Sequence, residues 1–114
     1  MIFDYFDHSA VATTVCDIEG KVIYQNRRAI EALGDARGQN LRDCHKPESW
    51  AKITAMLREG TTNAYTIEKG ATKKLIYQTP WYDAEGNVAG LIEYSTVLPS
   101  DMPHFVRPVA KVEA

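Results

Sequence analysis

The sequence predicts one α+β domain, in which a five-stranded antiparallel sheet carries short helices on one face. The order of the segments favours this fold, because two strand-like stretches precede three helical ones and three more strand-like stretches follow. The length agrees, since 114 residues can bury one hydrophobic core and leave no room for a second domain. A composition of 45% apolar and 25% charged residues is typical of a globular protein.

The charge and hydropathy of the chain argue against several classes of function. A formal net charge of −2 without a basic patch is not the electrostatic footprint of a nucleic-acid-binding protein. No apolar run approaches the ~20 residues of a membrane-spanning helix. The N-terminus also lacks the basic and apolar regions of a signal peptide. We therefore expect a cytoplasmic protein without a membrane or nucleic-acid partner.

The first part of the chain predicts a β-hairpin followed by a capped helix. Residues 12–18 are rich in β-branched side chains, Gly20 suits the positive φ of a hairpin turn, and residues 22–24 form the second strand. Asn26 is placed to cap the following helix and Gly34 to end it. Between them, three apolar side chains share one helical face: Ala29, Ile30 and Leu33.

A longer helix is predicted between Pro47 and Gly60. Proline fits the first turn of a helix, where its missing N–H costs nothing, and glycine just past Arg58 is a usual stop signal. The helix has an apolar stripe that should face a core, made of Trp50, Ile53 and Leu57.

The remainder of the chain predicts three antiparallel strands, over residues 63–69, 73–82 and 88–98. The turn at residues 83–87 joins the last two. Pro80 lies within a strand, so it should mark a bulge or an edge position, because proline cannot donate to the hydrogen-bond ladder.

This succession of motifs resembles the PAS domain family. Residues 17–34 match its D-x-x-G-x-[IV]-x-x-x-N-x-x-A-x-x-x-x-G pattern, and residues 38–43 its G-x-x-[LI]-x-D run. Residues 80–94 resemble its C-terminal signature of a proline-containing strand, a D-x-x-G turn and a G-x-[IV] strand. The resemblance implies three parts: a lead-in segment (1–8), a PAS domain (9–98) and a C-terminal tail (99–114).

The segment Cys44-His45-Lys46-Pro47 resembles an element that occurs before the long helix in a subgroup of bacterial PAS domains. No kinase, cyclase or DNA-binding sequence follows the last strand. The resemblance therefore leads us to expect a stand-alone bacterial PAS sensor.

The resemblance also implies a ligand pocket, whose residues follow from the family's inward-facing positions and from strand alternation. Ordinary core packing is the alternative for each of them. Gln25 is the most informative, because a buried amide needs hydrogen-bond partners and a ligand could supply them. The expected pocket residues are Thr14, Cys16, Ile23, Gln25, Ala29, Leu33, Trp50, Ile53, Leu57, Tyr65, Tyr77, Ile92 and Tyr94.

The cofactor cannot be named from the sequence, but two candidates can be weighed. Flavin-binding PAS photosensors carry an adduct-forming cysteine three residues after a glycine, and here Leu41 takes that place after Gly38. Haem-binding PAS sensors place a histidine in the long helix, whereas His45 lies just before it. A neutral imidazole can ligate haem iron, so haem binding by His45 stays open beside a structural role.

Catalytic and metal sites are not predicted. The chain lacks a nucleophile elbow, an H-E-x-x-H motif and a phosphate-binding glycine loop. Cys16 and Cys44 are expected to be small buried thiols in a reducing compartment. His45 beside Cys44 could lower a thiol pKa, but adjacent side chains rarely point at one another. We therefore do not expect an enzyme.

Three functions remain. The preferred one is a sensory domain that binds a small ligand and signals through its contacts with another protein in trans. The second is a ligand-free dimerisation module that pairs through Phe3, Phe6 and tail residues 102–105. The third is a haem or redox sensor that uses His45 or Cys44. In the first two cases we expect a homodimer.

Overall fold

A computed structural model of the chain describes residues 4–110. The predicted order of elements is confirmed. The strands form one antiparallel sheet in the order β2-β1-β5-β4-β3. The elements are β1 (Ala12–Asp17), β2 (Val22–Gln25), α1 (Arg27–Leu33), α2 (Leu41–Cys44), α3 (Pro47–Glu59), β3 (Asn63–Lys69), β4 (Thr72–Tyr82) and β5 (Val88–Leu98).

The core lies between α3 and one face of the sheet, which we call the inner face. This face carries Cys16 of β1 and Leu91 of β5, and α3 buries Ile53, Met56 and Leu57 against them. The opposite, outer face carries residues such as Val15 and Ile92. The predicted apolar stripe of the long helix is thus confirmed, since Ile53 and Leu57 are buried in this core and Trp50 packs against it, partly buried.

The helix boundaries follow the predicted capping signals. The Asn26 side chain accepts a hydrogen bond from the Ala29 N–H at 3.0 Å, and Pro47 occupies the first turn of α3. Gly34 and Gly60 both have positive φ, and each donates its N–H to a carbonyl of the preceding turn. Only Gly60 is in the left-handed helical region; Gly34 has ψ 161°, in a region that is essentially restricted to glycine.

Trp50 joins α3 to the first hairpin. Its ring lies directly on Gly20, where an added Cβ would come within 2.6 Å of the ring. Gly20 also has φ +88°, as predicted for the turn. Glycine at this position therefore serves both the turn and the close approach of the helix.

Two irregularities interrupt the sheet. Between β1 and β2 the register places Tyr24 opposite Val15 but Val22 opposite Cys16, so that Ile23 is an extra, bulged residue. Between β4 and β5 a second irregularity lies just after Trp81. The pairing of β4 with β3 ends before Pro80, so the predicted edge position of this proline is confirmed.

The lead-in packs on the outer face in a series of turns instead of a regular helix. The Tyr24 hydroxyl contacts the Asp4 carboxylate at 3.3 Å, and Arg27 forms an ion pair with Asp7 at 2.9 Å. Phe3 lies outside the described residues. Up to residue 110 the tail forms no helix or strand, and Phe105 is largely exposed. In residues 4–110 no helix combines the length and the apolar character that crossing a membrane would take.

Candidate functional site

A cavity of about 310 Å³, which we call the inner cavity, lies between α3 and the inner face of the sheet. A smaller pocket of about 30 Å³ continues it toward β1, and the two share Ile53, Gln78 and Glu93. The aliphatic part of the lining comes from α3, which supplies Ile53 and Met56 beside the polar Ser49 and Lys52, whereas the strands supply mostly polar groups. The inner cavity is lined by His45, Ser49, Lys52, Ile53, Met56, Asn63, Tyr65, Gln78 and Glu93.

A chain of side-chain hydrogen bonds crosses three strands on the floor of this cavity. Asn63, Gln78 and Glu93 lie directly opposite one another in β3, β4 and β5. The Asn63 amide donates to Gln78 Oε1 at 3.1 Å, and Gln78 Nε2 donates to Glu93 Oε2 at 3.2 Å. Residues opposite each other in a ladder share one face of the sheet, so the chain presents amide and carboxylate groups to the cavity.

The Glu93 carboxylate makes the sheet side of the cavity negatively charged. Burial, and then the Glu93 charge, raise the pKa of Tyr65, because both disfavour the phenolate. Lys52 also lines the cavity, but within residues 4–110 no Lys, Arg or His side chain forms an ion pair with Glu93. The carboxylate is therefore partly buried without a cationic partner in that part of the chain.

His45 stands at the edge of the cavity, just before α3. Its Nδ1 lies 2.9 Å from the Leu41 carbonyl oxygen, which can only accept, so in the neutral ring Nδ1 carries the proton and Nε2 has the free lone pair. The Cys44 sulfur lies 3.4 Å from the same nitrogen and is exposed, so the expected burial of Cys44 is wrong, whereas that of Cys16 is confirmed. The expectation that these adjacent side chains would point apart is also wrong, because α2 ends here and both turn back to the carbonyl of Leu41, its first residue.

Five of the predicted site residues come together at the two pockets. Tyr65 and His45 line the inner cavity, Thr14 and Cys16 line the smaller pocket, and Ile53 lines both. Burial raises the pKa of the Cys16 thiol, so this sulfur is a wall of the pocket and a poor nucleophile.

The placement of Ile23 in the pocket is wrong. Strict alternation from Gln25 would turn Ile23 inward, but the bulge in β2 inserts one residue and reverses the faces. Val22 is buried instead, and Ile23 is 50% exposed.

The placement of Ile92, Tyr94 and Tyr77 in the pocket is also wrong, since all three belong to the outer face. β5 pairs with β1 so that Leu91 and Glu93 lie opposite the inward residues of β1, which turns Ile92 and Tyr94 outward. Tyr77 pairs with Tyr94 and shares its face. This register joins strands from the two ends of the chain, so no local turn reveals it.

The remaining predicted residues serve packing. Gln25 is buried, but its amide donates to the Gly34 carbonyl at 3.3 Å and accepts from the Ala36 N–H at 2.7 Å, so the loop after α1 supplies the partners. Ala29 is fully buried in the core of the domain, whereas Leu33 is 57% exposed because the second turn of α1 lies at the surface. The last two members, Trp50 and Leu57, line a separate depression next to Ile18.

Asn63, Gln78 and Glu93 were not predicted. Their signal is weak but present, because Gln78 and Glu93 are polar residues in the middle of long, largely apolar strands. The irregularity after Trp81 shifts the register of the last hairpin. Without knowing that shift, one cannot tell from the sequence that these residues face each other and the helix. No metal site is evident either, since residues 4–110 contain no group of three His, Cys, Asp or Glu side chains that could hold a metal ion.

A second concavity lies on the outer face, which we call the outer groove. Its volume is about 330 Å³ and its lining is mostly apolar. The predicted interface residue Phe6 forms one wall and is 56% exposed. The other lining residues are Asp4, Thr13, Val15, Tyr24, Ile92 and Tyr94.

Comparisons with known proteins agree with this architecture. A C-terminal domain from Streptococcus mutans superposes with a TM-score of 0.67 at 18% identity, covering 80% of this chain and 78% of that one. The PAS domain of the histidine kinase ThkA gives 0.62 at 17% identity, covering 75% and 97%. VqmA bound to DPO gives 0.63 at 18% identity, covering 82% of this chain and 55% of VqmA. At such identities these structures establish the fold alone.

No curated protein sequence is significantly similar to the chain. The family model described as PAS fold, however, matches residues 6–98. Because this match spans most of the chain, the protein belongs to the PAS fold family.

Proposed function

We propose that the protein is a sensory domain that binds a small ligand in the inner cavity and signals through its contacts with another protein. The observation that carries this proposal is the cavity itself. Its volume of about 310 Å³ is at the lower end of the range for ligand sites, and it combines the aliphatic side chains of Ile53 and Met56 with several convergent polar groups.

Strand β5 offers a direct route from the cavity to the surface. Glu93 faces the cavity, while its neighbours Ile92 and Tyr94 line the outer groove. A ligand that binds one position of β5 better than another would shift the population toward that position. The outer groove would then change shape, which is how a partner protein would read the occupancy.

The comparisons add support at the level of the fold. VqmA, which shares the fold, is described with bound DPO, and ThkA is a histidine kinase that contains a PAS domain. Ligand binding and signalling are properties of those proteins. We extend them to this chain because it has both an accessible cavity and a strand that links it to the opposite face.

Native and denaturing mass spectra of the freshly purified protein test the proposal. We expect extra mass in the native spectrum that is lost on denaturation. Ser49→Phe should abolish this mass, because residue 49 lines the inner cavity and a phenyl ring there would fill its entrance. Ala51→Phe is the matched control, since residue 51 lies on the same helix, is exposed and does not line the cavity.

Two results would contradict ligand binding in the inner cavity. One is a wild-type protein that carries no added mass and binds nothing from a library of small metabolites. The other is added mass that survives Ser49→Phe unchanged.

The outer groove favours a second function, dimerisation. Phe6, Ile92 and Tyr94 form an apolar concavity that a second copy of the chain would cover. We expect a dimer by light scattering, and we expect Ile92→Lys to give a monomer. Ile67→Lys is the control, because it introduces the same charge at a more exposed apolar residue on the edge strand β3, away from the groove. A dimer that persists in Ile92→Lys would exclude this surface.

A haem or redox role for His45 is the third candidate, supported by its position at the cavity with Nε2 unprotonated in the neutral ring. An absorbance band in the visible region, lost in His45→Ala, is the expected sign of haem. A colourless protein that stays colourless after incubation with haem would contradict it.

A further inference from the structure

Glu93 is the only charged residue that the sheet contributes to the lining of the inner cavity. Its Oε2 accepts from Gln78 Nε2 at 3.2 Å, and within residues 4–110 its other oxygen accepts no hydrogen bond. The carboxylate stands near the middle of β5, at the junction of the cavity and the smaller pocket behind it. An acceptor of full charge thus points into the space where a ligand would lie.

A partly buried carboxylate without a cation is less stable than a paired one, because the hydrogen bond from Gln78 replaces only part of its lost hydration. Two side chains that can carry a positive charge line the same cavity. Lys52 is exposed on α3 and lies beyond ion-pair distance of Glu93, while His45 directs Nδ1 to the Leu41 carbonyl. Neither forms an ion pair with Glu93, so the carboxylate is available to a cationic ligand.

The other lining residues indicate what the non-polar part of the ligand would be. Ile53 and Met56 present an aliphatic wall opposite the strands, and the phenol ring of Tyr65 lies on the sheet side. A cavity of about 310 Å³ suits a molecule with one or two rings, or a short alkyl chain. Such a ligand would lay its hydrocarbon part against α3 and its polar end against Gln78 and Glu93.

We propose that the inner cavity selects small ligands with a protonated nitrogen, such as a primary amine or an amidine, which pairs with the Glu93 carboxylate. This inference rests on the proposed function and specifies the chemical class of its ligand. A charge-assisted hydrogen bond of this kind is about twice as strong as a neutral one, which is enough to decide between otherwise equal ligands.

Two series of probes that differ only in their polar group test this selection: benzylamine, benzyl alcohol and benzoate, and butylamine, butanol and butyrate. Binding is followed by the side-chain amide signals of Asn63 and Gln78 in ¹⁵N NMR spectra. We expect each amine to bind about tenfold more tightly than its alcohol, a difference of ~1.4 kcal/mol. The carboxylates should bind more weakly still.

Glu93→Gln should remove the preference for amines, because it keeps the shape and the hydrogen bond to Gln78 but not the charge. Glu68→Gln is the matched control, since it removes the same charge from an exposed position on β3 and should leave the preference intact. Unchanged dispersion of the NMR spectrum shows that both variants are folded.

Three outcomes would overturn the inference: carboxylates that bind as well as amines, an amine preference that survives Glu93→Gln, or no probe that shifts the cavity signals at its highest soluble concentration. The mass spectra separate this failure from that of the proposed function. A retained ligand without a basic nitrogen, lost in Ser49→Phe, would refute the amine class and leave ligand sensing standing.

Discussion

At the scale of single residues, Asn26 uses all four of its hydrogen-bonding positions inside the protein. It is fully buried, and its Oδ1 accepts from the N–H groups of Thr13 and Ala29. Its Nδ2 donates to the carbonyls of Phe6 and Val11, each at 2.8 Å. One side chain therefore holds the lead-in, the start of β1 and the start of α1.

We expect Asn26→Asp to destabilise the domain by about 3 kcal/mol or more. A carboxylate cannot donate, so the Phe6 and Val11 carbonyls would lose the bonds from the Asn26 amide and face a fully buried negative charge. Urea unfolding followed by circular dichroism measures the change. Asn40→Asp is the control, because Asn40 is a half-buried cap of α2 whose amide donates to one exposed carbonyl, that of Glu19. The free energy of unfolding of this variant should fall by only about 1 kcal/mol. Equal losses would contradict the role assigned to Asn26.

The pKa of Tyr65 depends on the charge in the inner cavity. Burial and the Glu93 carboxylate raise the pKa of its phenol. Because the carboxylate repels the phenolate, Glu93→Gln should lower the pKa of Tyr65, and burial should keep it above the ordinary value. A pH titration of the Tyr65 Cζ signal by ¹³C NMR measures this. Glu68→Gln should leave the titration unchanged, and an unmoved pKa in Glu93→Gln would show that the two groups do not interact.

At the scale of secondary-structure elements, Gly90 allows the Trp81 side chain to cross β5. Trp81 Nε1 donates to the Cys16 carbonyl at 3.0 Å, and it passes the position where a Cβ on Gly90 would lie. That Cβ would collide with both the indole nitrogen and the Cys16 carbonyl oxygen. The central three strands can therefore be tied together at this level only if residue 90 has no side chain.

We expect Gly90→Ala to lower the free energy of unfolding by about 3 kcal/mol, near the upper limit for overpacking, because a backbone oxygen cannot move aside. Gly70→Ala is the control. Gly70 has φ +61° and open space around its Cα, so it should lose only the ~1 kcal/mol of a strained backbone. Denaturant unfolding compares the two, and a similar loss in both would mean that the sheet relaxes around the new methyl group.

The elements could be predicted from the sequence because their signals are local. Asn26, Gly34, Pro47 and Gly60 mark the helix ends within a few residues of the bonds they form. The faces of the strands could be predicted only in part. One bulged residue, Ile23, reverses the alternation of β2, and the pairing of β5 with β1 depends on a contact across nearly the whole chain. Residues assigned by counting from a family pattern were therefore wrong wherever a bulge or a distant register intervened.

At the scale of the whole molecule, the strand order places β5 at the centre, between β1 and β4. The central strand β5 and its neighbour β1 come from opposite ends of the domain, while β3 is an edge strand whose side chains are mostly exposed. Local stability against unfolding should therefore be highest where β1 pairs with β5 and lowest at β3.

Native-state hydrogen exchange measures this distribution. We expect the amides that pair β1 with β5 to exchange most slowly, close to the rate set by global unfolding, and those of β3 to exchange faster by opening locally. Ligand binding in the inner cavity should slow the exchange of β3 more than that of β1, because Asn63 and Tyr65 line the cavity. Protection of β3 equal to that of β1 would show that the sheet opens as one unit.

The position of Trp50 on Gly20 makes the long helix visible to fluorescence. The chain has two tryptophans, and one of them, Trp81, is fixed within the sheet. In a Trp81→Phe background the remaining indole is the one that links α3 to the first hairpin. Its emission wavelength and its quenching by acrylamide would then follow the distance between helix and hairpin without any attached dye. This variant thus reports by its own fluorescence how closely the long helix lies on the first hairpin.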